Sequence, residues 1–351
     1  MTDQKCALIT GASSGIGKEL TYQFARDGYS LILNALNKTK LEGFGMQVRE
    51  EYKVPVETIS VDLFQMQGAD ELYNEVRNRN LSVDVLVNNA GVGMYGDFAD
   101  VDMEEYMKII NLNIISFTKI AKLFTPEIIE RKGKILNTAS VASYQPGPHM
   151  SVYYASKAYD LSMSLSLAEE LKPHGVTVTA ICPGPTLTNF AKRAKQENTR
   201  AFRNKMLTME AKSVAEEGYQ AFKKGKRVAI AGAKNKVSMQ MERLLSQKVL
   251  TKFSELYLTE TIDPDKEKLL HEKVDEHLEQ MGQKKQPVKQ EQVGPQGQIS
   301  ETHEGEGARE EEQITETFKH SDPSLSGDRK PGPIDEERIR EKVKEEKKEL
   351  R

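Results

Sequence analysis

Near its start the chain reads Cys6-Ala7-Leu8-Ile9-Thr10, then Gly11-Ala12-Ser13-Ser14-Gly15-Ile16-Gly17, then a stretch in which Leu20, Phe24 and Ala25 recur at helical spacing. The first five residues are the short apolar run of a strand, and the spacing after Lys18 is that of an amphipathic helix. A strand that turns tightly into a helix aims several unpaired backbone N–H groups and the positive end of the helix dipole at one spot. Glycine there lets an anionic group come close to the backbone. Taken alone, the same residues are a glycine-rich turn in an ordinary strand-helix unit, so the rest of the chain has to decide.

Working outward, six more apolar, β-leaning runs follow at 31–34, 56–61, 83–88, 134–138, 176–182 and 227–231, each separated by enough chain for a helix. This alternation predicts an α/β domain over 1–258, a doubly wound parallel sheet of about seven strands covered on both faces. Helical spacing is clearest over 103–129 and over 153–171, where Leu161, Leu165 and Ala168 share a stripe and Pro173 and Gly175 mark the end. Residues 236–257 read as one amphipathic helix with Val237, Met241, Leu244, Leu245, Val249 and Phe253 on one side and several lysines and arginines elsewhere. Such a helix covers the domain or a partner subunit, or lies peripherally on an anionic membrane surface.

The remainder, 259–351, is a charged tail. Residues 260–351 hold 25 acidic and 17 basic side chains against 28 and 33 before them. Its Gln, Glu, Lys, Gly and Pro content is too poor in apolar groups to offset ordering entropy, which predicts disorder, with short helices at 265–281 and 335–350. Its partner is unknown. The hydrophobic share of the whole chain, 38%, agrees, because packed proteins carry about 45–50% apolar residues with Gly included.

Several function classes fall away. There is neither the basic excess nor the clustering with aromatics of a nucleic-acid surface. No apolar run reaches the length of a membrane span, and Met1 leads straight into the first strand without a charged-then-apolar leader. Cys6 and Cys182, the two cysteines, both sit in strand-like runs and read as small core residues, which fits a reducing, cytoplasmic location. No cluster of metal ligands is evident, and none is expected.

The spacing Gly11-x-x-x-Gly15-x-Gly17, together with Asn88-Asn89-Ala90-Gly91, Asn113, Ser140, Tyr153-x-x-x-Lys157 and Pro183-Gly184, in this order, resembles the short-chain dehydrogenase/reductase family over roughly residues 4–257. The resemblance implies a single Rossmann-like domain binding a nicotinamide dinucleotide. Gly11, Ser13, Ser14, Gly15, Ile16 and Gly17 would hold the pyrophosphate, Asn89, Ala90 and Gly91 would lie beside the adenosine side, and Pro183, Gly184 and Thr188 would lie near the nicotinamide, with Thr186 as a further hydroxyl. Asp62 would hydrogen-bond the adenine, although an Asp at a strand end is also a common turn cap. Asn113 would hold a water chain to Lys157; on its residue type alone it is equally a structural amide inside a helix.

Tyr-x-x-x-Lys occurs twice, and context separates the copies. Tyr153 and Lys157 open a helix thirteen residues after Ser140, whereas Tyr219 and Lys223 lie late in a helix without a partnered serine and read as packing and surface. Positions i and i+4 share a helix face, so the Lys157 ammonium can approach the Tyr153 phenol or a neighbouring ribose, making both residues cofactor contacts as well as catalytic ones. A cation at about 4 Å in an effective dielectric of ~20 contributes roughly 4 kcal/mol, about three pKa units before desolvation opposes it. Tyr153 is then expected to serve as general acid for carbonyl reduction and general base for alcohol oxidation, with Ser140 orienting the carbonyl oxygen.

The second strand ends Asn34-Ala35-Leu36-Asn37 with Lys38 just beyond. No carboxylate stands where an NAD enzyme binds the ribose 2′-hydroxyl, so NADP(H) is preferred, with NAD(H) admitted. Met94, Tyr95, Tyr144, Met150 and Phe190 are the candidate walls for an apolar carbonyl or alcohol substrate. Homo-oligomerisation through the two long helices is expected. The competing reading is a dinucleotide-binding sensor or scaffold whose tail recruits a partner; an intact Ser140, Tyr153 and Lys157 favours the NADP(H)-preferring oxidoreductase.

Overall fold

The computed structural model describes residues 4–204, 208–242 and 246–259. The predicted tail, its disorder and its two short helices lie outside them.

In chain order the elements are β1 (Cys6–Thr10), α1 (Gly15–Arg26), β2 (Ser30–Asn34), α2 (Lys38–Tyr52), β3 (Val56–Ile59), α3 (Gly68–Asn78), β4 (Val85–Asn88) and α4 (Met103–Ile109). A π-helical segment (Ile110–Ser116) joins α4 to α5 (Phe117–Glu130); then come β5 (Lys134–Thr138), a 3-10 turn (Val141–Tyr144) and α6 (Ser151–Glu170). Beyond β6 (Thr177–Cys182) lie β7 (Thr186–Leu187), α7 (Asn189–Arg193), α8 (Arg200–Arg203), β8 (Met209–Glu210), α9 (Ala211–Lys223), β9 (Val228–Ile230), α10 (Ala233–Glu242) and α11 (Gln247–Leu258).

Seven strands form one parallel sheet in the order β3-β2-β1-β4-β5-β6-β9, and β7 pairs with β8 in a separate two-stranded ladder. The fold is thus the doubly wound α/β architecture expected. Each of the seven predicted strands is present, several of them shortened by a residue or two at an end: β3 stops at Ile59 rather than 61, and β4 starts at Val85 rather than 83.

The central strands β1, β2 and β4 are mostly apolar because both faces are buried, whereas β3 at the sheet edge exposes Glu57 and β9 at the other edge is half-buried. Alternate residues go to opposite sides: Ala7, Ile9, Leu31, Leu33, Val85 and Val87 join Phe24, Phe44, Tyr219 and Phe222 on one. Leu8, Ile32, Leu86 and Ile135 join Leu72, Val76, Phe124 and Ile128 on the other. The order of strands reverses between β1 and β4, and in such sheets ligands sit beyond the carboxyl ends at that switch point.

Three helical expectations are corrected. The stretch 103–129 is not one α-helix but two joined by the π-helical segment. In α6, Leu161 and Ala168 are buried but Leu165 is 39% exposed, because polar Ser156, Asp160 and Ser164 take the interior face instead. Residues 236–257 form α10 and α11 separately; Val237 is exposed, and the buried face of α11 is Leu250, Ser254 and Leu258 at i, i+4 and i+8. The side chains of Met241, Leu244, Leu245 and Phe253 lie outside the description.

Candidate active site

Beyond the carboxyl ends of β1, β4, β5 and β6 the surface opens into a cavity of about 800 Å³ that runs from the glycine turn to Tyr153 and on to α11. Gly11, Ser13, Ser14, Gly15, Ile16, Gly17, Asp62, Asn89, Ala90, Gly91, Ser140, Tyr153, Lys157, Pro183, Gly184 and Thr188 all line it. One cavity therefore gathers the whole predicted set except Asn113, which lies behind it.

The glycine turn is shaped by its neighbours. Gly11 and Gly15 have φ of +66° and +55°, in the left-handed region that favours glycine. A Cβ on Gly17 would stand 2.4 Å from the carbonyl oxygen of Gly11 and 2.5 Å from Asn89 Nδ2, so only glycine fits. Ser14 is extended at the N-cap of α1 and makes no side-chain cap, which leaves the first N–H groups of that helix facing the cavity. This is the donor set a pyrophosphate requires. Thr188 instead caps α7, its Oγ1 accepting from Phe190 N at 3.2 Å, while its methyl lies near Gly15.

Asn89 braces the strand ends: its Nδ2 donates to Thr10 O at 3.0 Å and its Oδ1 accepts from Thr138 Oγ1 at 3.1 Å. Thr10 Oγ1 in turn accepts from the backbone N–H groups of Asn89 and Ala90. Asp62 is partly spent as a turn cap, its carboxylate accepting from Phe64 N at 2.9 Å and Gln65 Nε2 at 3.2 Å.

Asn113 is fully buried in the π-helical segment. Its Nδ2 donates to Val92 O and Ser156 Oγ, each at 2.9 Å, and its Oδ1 accepts from Val92 N at 3.0 Å. It ties the loop after β4 to α6. Lys157 Nζ and Asn113 Oδ1 both face the space a Cβ of Gly91 would fill, so the glycine keeps that space open.

Tyr153 and Lys157 are one turn apart on α6, as expected, and Ser140 lies close to the Tyr153 phenol, its hydroxyl donating to Pro183 O at 3.4 Å and accepting from Ala142 N at 3.1 Å. Lys157 Nζ donates to Thr138 O at 3.0 Å and to Asp160 Oδ2 at 2.9 Å. Burial opposes the charge of Lys157, but Asp160 and then Tyr153 outweigh it and hold the ammonium above the ordinary lysine range. The phenol does not follow the expectation that Lys157 would acidify it. Desolvation raises it most; Lys157 and the Ser140 hydroxyl pull down, Asp160 pushes up again, and the net direction is upward. Asp160 is the group the sequence reading missed; its signal was a carboxylate at i+3 from Lys157 on the same helix.

Two further corrections concern the lining. Lys38 does not face the cavity; it begins α2 with its side chain 75% exposed and 4.0 Å from Glu42, and Lys40 with Asn37 lines the cavity instead. Of the proposed walls, Met150 and Phe190 are present, whereas Met94, Tyr95 and Tyr144 are not among the lining residues. Tyr144 turns to Cys182, 3.8 Å away, and Met94 packs with Tyr106 and Ile109. Their places are taken by Tyr154, Phe202, Tyr257 and Leu258. The second Tyr-x-x-x-Lys pair is structural: Tyr219 Oη donates to Asp27 Oδ2 at 2.8 Å and Lys223 Nζ donates to it at 2.9 Å. Among the described residues no group of metal ligands occurs, and no helix is long and apolar enough to cross a membrane.

The family model for the short chain dehydrogenases matches residues 5–199. The chain belongs to that family, a family of oxidoreductases. It is 36% identical over 182 residues to a very-long-chain 3-oxoacyl-CoA reductase of Pyrenophora tritici-repentis, covering 50% of this chain and 53% of that one. With the Homo sapiens protein of the same name it shares 34% over 196 residues, 54% of this chain and 62% of the other. The chain thus spans little more than half the length of these relatives. Among solved structures, a short-chain dehydrogenase from Sphingobium yanoikuyae in complex with NADPH superimposes with a TM-score of 0.61 at 30% identity, over 68% of this chain and 94% of that one. The bulky-bulky ketone specific alcohol dehydrogenase from Comamonas testosteroni gives 0.59 at 29% identity, over 69% and 93%.

Proposed function

We propose that the protein is an NADP(H)-preferring carbonyl reductase acting on apolar ketones, with Tyr153 as the proton donor. The observation that carries this is the convergence of the glycine turn, Ser140, Tyr153 and Lys157 on one cavity. A reduced nicotinamide dinucleotide held by the glycine turn, Asn89 to Gly91, Tyr153 and Lys157 would supply the hydride for the carbonyl carbon. The chain's own part is to place that carbon and manage the proton. The α1 N-terminus and the glycine turn hold the phosphates, and Asn37 and Lys40, from a stretch 34–41 that carries no acidic residue, line the cavity where a 2′-phosphate would lie. Ser140 donates a hydrogen bond to the substrate oxygen, and the Tyr153 O–H gives its proton to that oxygen as negative charge develops on it. Lys157 orients the ribose and the phenol.

The wall formed by Met150, Tyr154, Phe190, Phe202, Tyr257 and Leu258 suits an apolar chain or ring. The names of the relatives, 3-oxoacyl-CoA reductase and bulky-ketone alcohol dehydrogenase, put 3-oxoacyl thioesters and bulky ketones first on the panel. The test is to titrate NADPH and NADH into wild type and Tyr153→Phe by cofactor fluorescence and then assay that panel. The expected result is tighter NADPH binding in both proteins and a fall in kcat of at least about a hundredfold in Tyr153→Phe. Equal turnover by the two proteins would refute the assignment of Tyr153, and tighter NADH binding would refute the cofactor preference.

A further inference from the structure

Beyond α7 the chain turns sharply through Ala194 and Lys195. Lys195 takes a left-handed φ of +56°, its N–H donates to Lys192 O at 3.2 Å, and the Gln196 N–H reaches back to Ala191 O at 2.8 Å. This is the Schellman ending of a helix, in which the residue at the place of Gln196 commonly folds back as an apolar contact on the last turn. Here that position holds an amide. The Gln196 carbonyl accepts from Thr199 N at 3.0 Å and from Thr199 Oγ1 at 2.8 Å, so the backbone that carries the amide is held from both sides.

Of the polar residues that follow Thr188 in the cavity lining, Asn189, Lys192 and Arg193 are exposed, whereas Gln196 is only 3% exposed. It stands in the apolar wall with Met150, Phe190 and Phe202. Its Nε2 lies 2.7 Å from Met150 Sδ, a weak acceptor, and its Oε1 has no hydrogen-bond partner among the described residues. A buried amide costs free energy unless its polar atoms are met. Because the residue lines the cavity, the missing partner is one that a bound molecule can supply. The reacting centre is near: the Tyr153 ring and the Met150 methyl lie 3.2 and 3.3 Å from the point a Cβ of Gly93 would occupy. The amide is therefore one side chain removed from the proposed proton donor.

We propose that Gln196 is a specificity-determining residue whose Oε1 accepts a hydrogen bond from a hydroxyl on an otherwise apolar ketone. This rests on the reading of the protein as a ketone reductase and narrows its substrates to hydroxy-ketones. The unmet atom is an acceptor, so the group it takes is a donor. An ammonium would need a carboxylate beside it, and the one acidic residue of the lining, Asp62, follows β3 at the far end of the sheet. A hydroxyl is neutral and suits the amide on both counts, since it can donate to Oε1 and accept from Nε2 in place of the sulfur. A ketone without the hydroxyl leaves the amide unmet, and a site of this kind rejects such an analogue more strongly than an apolar pocket rejects a missing methylene.

The experiment is steady-state reduction with NADPH of straight-chain ketones that carry a hydroxyl, moved a carbon at a time along the chain, each beside its deoxy counterpart. Wild type and Gln196→Met are compared, the variant keeping the length of the side chain and removing the amide. Wild type is expected to favour the hydroxy-ketone, at one position of the hydroxyl, by at least about tenfold in kcat/KM and chiefly through KM. Gln196→Met should bring that ratio close to unity. Its urea midpoint should stand at or above that of wild type, because an apolar side chain replaces an unmet amide; an amide that served only to pin Met150 would instead lower the midpoint and leave the ratio alone. A ratio that survives in Gln196→Met overturns the proposal. So does a wild type that takes hydroxy- and deoxy-ketones alike at every position, which decides the matter even if the variant does not fold. The two readings fail separately: a protein that reduces no ketone fails as a reductase and takes this inference with it, whereas one that reduces them without regard to the hydroxyl loses only the role of Gln196.

Discussion

The hydroxyl of Thr10 accepts from two backbone N–H groups, Asn89 at 2.9 Å and Ala90 at 3.0 Å, at the crossover between the two halves of the sheet. Thr10→Val keeps the shape and strands both donors, so the expected cost is about 2–4 kcal/mol by urea denaturation. A loss below about 0.5 kcal/mol would show that the pair finds other partners. Ser140, Tyr153 and Lys157 were legible in the sequence because their chemistry is tied to local spacing, two on one helix face and one at the preceding strand end. Asp160 was not, since a carboxylate at i+3 reads as a solvated helix residue until its burial is known. Lys38 was mistaken for Lys40 for a local reason: Asn37 caps α2, its Oδ1 accepting from Lys40 N at 2.9 Å, and the turn it starts sends Lys38 outward.

At the scale of elements, strand after strand was readable because parallel strands buried on both faces are written as continuous apolar runs. The π-helical segment was not. One wide turn leaves the apolar register on either side nearly intact, so counting hydrophobic positions cannot reveal it, yet it is this turn that carries Asn113 to Val92 and Ser156. Wide turns of this kind occur often at functional sites. The far wall of the cavity was missed for a different reason: Tyr257 and Leu258 are remote from the motifs and arrive by tertiary packing of α11. Tyr257→Ala is expected to raise KM for apolar ketones about tenfold with NADPH affinity unchanged, measured by steady-state kinetics and fluorescence titration. An equal loss of cofactor affinity would place α11 in the cofactor site instead.

Across the whole molecule, α1 and α9 are clamped by Asp27, Tyr219 and Lys223, which join the glycine-turn helix to a helix nearly two hundred residues later. Burial works against the Asp27 charge, but hydrogen bonds from Lys223 and Tyr219 overcome it and hold the carboxyl below its usual range. The folded state then binds this proton less readily than the unfolded chain. The clamp's contribution is therefore present above the ~3.9 of an unfolded Asp and fades as pH falls through the lower folded value. Asp27→Asn should lower the guanidinium midpoint at pH 7, and the gap from wild type should narrow only below about pH 4; a gap that is constant with pH would show that charge is not what the clamp uses. The strand order that places this clamp also puts a seam through the cavity. Residues up to Pro183 provide most of the cavity lining around the glycine turn, Ser140, Tyr153 and Lys157, while much of the apolar wall comes from 188–202 and 257–258. On the reading proposed here, duplicated genes for such a protein can drift apart in the second portion and take up new ketones, while every copy goes on drawing on the same supply of reducing equivalents.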